Sequence, residues 1–201
     1  MAAYLVLLLA VLSRILPHAW FHAVSWNFTA LGGGLLFFGS QLGAPQPGVS
    51  ERALAWRTGA KLASALAVLI ATDYYLTVYA YRYPFHLRSY LVTWVWYALV
   101  CLLGMEFLRK PTVLRVVAGV LASATSFFLF SNFAHWEGPF GAIYPRTLAG
   151  LAACYTAAVP FYRNDLVSTA ITAGALFGLP VLAAKIVETL HAAHHDDLPM
   201  A

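Results

Sequence analysis

Charge is scarce in this chain. Only 10% of its 201 residues are charged, against roughly 25% in soluble globular domains. That shortage excludes an ordinary soluble fold and leaves a polytopic membrane protein. Cysteine is nearly absent: Cys101 and Cys154 each sit in an apolar run, and no Cys-x-x-Cys occurs. A disulfide framework is therefore excluded, and both thiols read as small buried hydrophobes. Neither a phosphate-binding loop nor a dinucleotide loop is present, so the chain does not hydrolyse ATP by itself. Ser25, Ser126 and Ser131 lack a nucleophile context, and no enzyme activity is expected. The basic residues lie between apolar runs rather than on a soluble stripe, which argues against nucleic acid as a partner. Heptads, low-complexity tracts and internal repeats are missing as well. Met1 to Leu16 has no basic leader and no small-x-small site after Arg14, so it is expected to be a retained first helix.

What the chain has is apolar length. Hydrophobic residues make up 61%, with a mean hydropathy of +0.73. Six strong spans can be drawn near 2–16, 28–44, 54–80, 90–109, 113–133 and 165–188, with a weaker one at 147–160. The predicted fold is all-α: a polytopic membrane helix bundle of six transmembrane helices plus a short extra helix or re-entrant segment at 147–160. One transmembrane domain fills 1–190, and a polar tail 191–201 follows. Pro45, Pro47 and Gly48 break the chain after span two, and Ser50 is placed to cap the next helix. Tyr83-Pro84 ends span three, and Arg109-Lys110-Pro111 makes a tight turn. Asn164 or Asp165 is placed to cap the last helix. Arg52, Arg57, Lys61, Arg109, Lys110 and Arg115 slightly outnumber the basic residues of the opposite side. The bias favours a cytoplasmic N-terminus. If segment 147–160 crosses, the C-terminus lies on the other side. Gly32, Gly33, Gly34 and Gly39, and Ala60, Ser64, Ala67 and Ala71, form small-residue faces suited to close helix contact.

Asp73, followed by Tyr74 and Tyr75, stands in the otherwise apolar stretch from Leu62 to Ala80. A carboxylate at that depth costs on the order of 3 kcal/mol to insert, so it faces protein or water. On the outer side, six spans also gather Trp26 and Asn27 of the first loop and Asn132, His135 and Trp136 at the end of span five. Asn164 and Asp165 before the last span complete the set. Apolar and aromatic walls with a few placed polar groups suit a small-molecule site. The expected substrate-binding residues are therefore Trp26, Asn27, Asp73, Tyr74, Asn132, His135, Trp136, Asn164 and Asp165. Plainer roles stay open: an aromatic belt for the tryptophans, backbone capping for Asn132, and an ion pair of Asp73 with Arg14 or Arg82. His18 with His22, and His191 with His195, have i, i+4 spacing but read as solvated surface, so neither metal nor cofactor is expected.

Certain ordered pieces are similar to an uncharacterised bacterial membrane family catalogued as a domain of unknown function. They include Arg14-Ile15-Leu16-Pro17-His18, Asn27-Phe28-Thr29-Ala30-Leu31-Gly32, Thr72-Asp73, Ser131-Asn132-Phe133, Tyr144-Pro145-Arg146-Thr147 and Pro160-Phe161. That family in turn resembles the S components of energy-coupling factor (ECF) vitamin transporters, through the first loop, the Asp closing span three, and Pro160-Phe161 ahead of Asp165. The resemblance implies six helices, cytoplasmic termini, the bacterial inner membrane, and uptake of a small vitamin-like molecule bound near the outer surface. An energy-coupling module would be the partner. Ser168 and Thr169 stand where biotin-type proteins carry a lysine, which disfavours biotin, and the Ala-x-x-x-Ala docking face of helix one is missing. The competing expectation is a small accessory subunit of a larger respiratory or photosynthetic membrane complex.

Overall fold

The computed structural model describes residues 2–20, 29–138 and 143–196. Among them every regular element is helical. The helices are α1 (Ala2–Trp20), α2 (Leu31–Ser40), α3 (Glu51–Tyr75), α4 (Leu87–Phe107), α5 (Val113–Glu137), α6 (Leu148–Ala173) and α7 (Leu179–Asp196). A π-helical turn, Leu76–Ala80, prolongs α3, and a second, Gly174–Gly178, joins α6 to α7 without a break. The described residues therefore form six rods. Four of them, 51–80, 87–107, 113–137 and 148–189, are long and apolar enough to cross a membrane.

Two expectations need correction. The 28–44 span contains a helix of only 10 residues, about 15 Å long and half the thickness of a bilayer core. It stops because Gly43 takes a positive φ of 64°, a conformation in which the helix cannot continue. The segment 147–160 is neither a separate short helix nor re-entrant. It is the first part of one rod that includes Pro160, Asn164 and Asp165 in its interior. Thr147, not Asn164 or Asp165, caps it, accepting from the Gly150 amide at 3.1 Å. Proline removes one helical hydrogen bond and crowds the preceding turn. Here α5 holds the turns on both sides. Tyr155 donates to the Leu129 carbonyl at 2.6 Å, and the Tyr162 and Thr125 hydroxyls meet at 2.9 Å.

Short α2 is the centre of the bundle. Leu35, Leu36 and Phe38 are buried beside Leu7, Ala10, Tyr97 and Cys101. Its glycines do what the sequence suggested. A methyl on Gly39 would strike the Cys101 carbonyl, and one on Gly104 the Leu36 carbonyl, so α2 and α4 touch backbone to backbone. Gly32 and Gly33 similarly admit Thr169 and Thr172 of α6. The other small face behaves differently: Ala60, Ala67 and Ala71 are exposed and Ser64 meets the Tyr4 hydroxyl of α1 at 3.3 Å, while Ala65, Leu69, Thr72 and Asp73 are buried. Ser50 caps α3 as expected, accepting from the Ala53 amide at 3.3 Å. Both cysteines are buried and free.

Candidate functional site

Burying a carboxylate inside an apolar bundle leaves two outcomes. Either the fold supplies partners, or the charge stands unmet at a cost of several kcal/mol. This protein shows both. Asp73, 2% exposed, is met on every side. Arg14 of α1 bridges its Oδ1 at 2.5 Å, Tyr97 of α4 donates to the same oxygen at 3.2 Å, and Trp94 donates to Oδ2 at 2.9 Å. Thr77 in the π turn donates to the Asp73 backbone carbonyl at 2.7 Å, and its hydroxyl also meets that of Tyr90. Charge-assisted bonds of this kind are roughly twice as strong as neutral ones. Asp73 thus ties α1, α3 and α4 together. Of the two arginines considered as partners, Arg14 is the one used.

Asp165 is the other case. Only 9% exposed, it sits mid-way along α6, and among the described residues its carboxylate has no cation and no hydrogen bond; Oδ2 is fully buried and unpartnered. It lines a cavity of about 280 Å³ between α5 and α6. The α5 side is Phe127, Phe128, Ser131, Asn132 and His135, and the α6 side adds Ala158, Phe161 and Tyr162. Spacings of three, four and seven residues put each set on one helix face. Asn132 donates Nδ2 to the Phe128 carbonyl at 2.8 Å, and Ser131 donates to the Phe127 carbonyl at 2.5 Å. The Arg14 Nη1, Ser123 Oγ and Thr169 Oγ1 atoms are also buried without partners. None of these three residues lines this cavity. Two larger grooves, of about 570 and 780 Å³, run along α4–α5 and α5–α7. Their walls are almost wholly apolar, as lipid-facing surface would be.

The residues picked from the sequence are therefore divided. Asn132, His135 and Asp165 share the α5–α6 cavity. Asp73 belongs to the α1–α3–α4 cluster, which has no residue in common with the cavity lining. The expectation of one pocket holding Asp73 and Asn132 together is corrected: Asp73 is held among α1, α3 and α4, and Asn132 lines the α5–α6 cavity. Tyr74 is 45% exposed and packs edge-on against Phe85. Trp136 donates to the Pro145 carbonyl at 3.1 Å and fastens the turn before α6. Asn164 is half-buried on α6 outside the cavity lining. Trp26 and Asn27, with the His22 position, lie outside the described residues, as do the side chains of His18, His191 and His195. Among the described residues no group of three metal-ligating side chains occurs. Sequence reasoning did not select Trp94 and Tyr97 beside Asp73, or Ser131, Phe128 and Tyr162 of the cavity. The helical spacing of Phe128, Ser131, Asn132 and His135 was the available signal for the latter.

Among the described residues, fold and site together define an all-helical protein with membrane-length helices, two buried carboxylates of which Asp73 is satisfied and Asp165 is not, and a small partly polar cavity. The chain belongs to the family of unknown function DUF6580, which it matches over residues 1–190. No curated protein and no solved structure matches it.

Proposed function

We propose that this protein is an integral membrane substrate-binding protein that takes up a small, vitamin-like molecule, held in the α5–α6 cavity. The carrying observation is Asp165, a buried carboxylate that borders a cavity and has no partner among the described residues. An ionisable side chain within a membrane helix is by default a functional candidate. Asp73 serves as the internal control, because the same residue type with three side-chain donors needs nothing more. The S-component resemblance supports the reading only in outline. Where biotin-type proteins place a lysine, Thr169 packs directly on Gly32, so that position serves helix contact. No chemistry is done on the ligand. Asn132, His135 and Asp165 orient it, and the aromatic walls supply area. The test is native mass spectrometry of protein extracted in mild detergent. Wild type is expected to carry a small-molecule adduct that is lost in Asp165→Asn and retained in Tyr74→Phe. Adduct-free wild type, or an adduct indifferent to Asp165, contradicts the proposal.

A second reading, the accessory subunit, has its own support. Helix α7 carries exposed Leu179, Val181, Leu182, Ile186 and Val187 and packs mainly on its own π turn. Ala60, Ala67 and Ala71 of α3 are also exposed. Co-purification with redox subunits, instead of an isolated ligand-bound monomer, would favour it.

A further inference from the structure

The cavity's hydrogen-bonding inventory narrows what it can hold. The Asn132 amide is turned so that Nδ2 donates to the Phe128 carbonyl. That orientation is forced, since two oxygens cannot bond, and it leaves Oδ1 as an acceptor. The Ser131 hydroxyl proton is likewise committed to the Phe127 carbonyl, leaving lone pairs. Asp165 ionised is acceptor only. No lysine or arginine lies among the described lining residues. Apart from His135, whose imidazole can donate as well as accept, the polar part of the wall is rich in acceptors and bears one negative charge. The remainder is aromatic, with the Phe128 and Tyr162 rings 4.8 Å apart between centroids. Aromatic faces attract cations, more so when water is excluded. The volume, about 280 Å³, sits at the low end of small-molecule sites, which span about 300–1,000 Å³.

We propose that the α5–α6 cavity takes a small organic cation, a protonated amine or protonated nitrogen heterocycle, with Asp165 as its counter-charge and Asn132 and Ser131 as acceptors. This rests on the binding role proposed above and adds the chemical class. An anion would meet Asp165 head-on. A neutral donor could hydrogen-bond the carboxylate but would leave its charge uncompensated, so it gains less from Asp165 than a cation does.

The experiment uses purified full-length protein in detergent with three probes of matched size: benzylamine, a cation at neutral pH, benzyl alcohol and benzoate. Thermal unfolding is followed against probe concentration. Benzylamine is expected to stabilise wild type at a half-saturating concentration at least about tenfold below that of benzyl alcohol, equivalent to about 1.4 kcal/mol, and benzoate to give no shift. Asp165→Asn should erase the preference for amine over alcohol, and Ala158→Leu, which fills the cavity, should abolish both responses. Equal responses to amine and alcohol, or an amine preference that survives Asp165→Asn, overturn the cation class. If Ala158→Leu still removes the response in that case, the binding site stands and only its ligand class fails. Wild type that ignores all three probes overturns the cation class. An Asp165-dependent neutral or anionic adduct in the native mass spectrum would then preserve the binding role alone.

Discussion

Asp73 and Asp165 are the same side chain, buried to a similar degree, and the fold treats them oppositely. Removing Asp73 strands Arg14, 16% exposed at its side chain, without its counter-charge. Breaking a buried pair from one side costs about 3–5 kcal/mol. Asp73→Ala is therefore expected to lower the thermal midpoint in detergent sharply. Asp165→Asn should do the reverse in ligand-free protein, raising the midpoint, because it removes a charge that nothing meets. A loss of stability on Asp165→Asn comparable to that of Asp73→Ala would show that Asp165 has a structural partner. Hydropathy alone made Asp73 legible as an anomaly, because a charge inside an apolar run needs only the local sequence to be seen. Its partner was not legible. Arg14 lies 59 positions away, and nothing local distinguishes it from Arg82. The unmet state of Asp165 was hidden for the same reason, and its place in a helix interior was masked by the Pro160-Phe161 and Asn164-Asp165 pattern, which resembles a break and a cap.

Helix contact at the level of elements is controlled by glycine, and the glycines differ. Gly39 and Gly104 face backbone carbonyls of the opposing helix with no space for a methyl, whereas Gly174 and Gly178 face open space. Gly39→Ala and Gly104→Ala should force α2 from α4 and destabilise by more than about 1–3 kcal/mol, the usual cost of overpacking. Gly174→Ala and Gly178→Ala should be neutral or stabilising by up to about 1 kcal/mol through helix propensity. Denaturant titrations followed by helicity would separate the two pairs; equal sensitivity would mean that the π turn is covered in the protein. The sequence showed the small residues but not which were used. Gly32, Gly33 and Gly39 became interior contacts, and Ala60, Ala67 and Ala71 did not, because composition specifies a face that permits contact without specifying the helix that meets it. The continuity of α6 was illegible for a related reason: contacts from α5, through Tyr155 and Tyr162, hold the helix together across Pro160.

Six rods alternating in direction would bring both ends of the whole molecule to one side. The basic residues agree with that arrangement. Arg57 donates to the Gln46 side chain at 3.3 Å, and Arg109 lies beside Gly43, so the loop before α3 and the turn before α5 share one end of the bundle. Positive residues in short loops mark the cytoplasmic side. Reporter fusions at the N-terminus and after Ala201 are expected to report the cytoplasm at both ends, with a tag in the 143–147 turn reporting the opposite side. Termini on different sides would contradict this arrangement.

The central claim is that one buried carboxylate, Asp165, is left for a ligand while the other, Asp73, is consumed by the fold. Dicyclohexylcarbodiimide, which enters apolar environments and modifies carboxyl groups that can take up a proton there, tests it directly on ligand-free protein when followed by peptide mass mapping. Labelling is expected at Asp165, with Asp73 unmodified. Label on Asp73 with Asp165 inert would contradict the account.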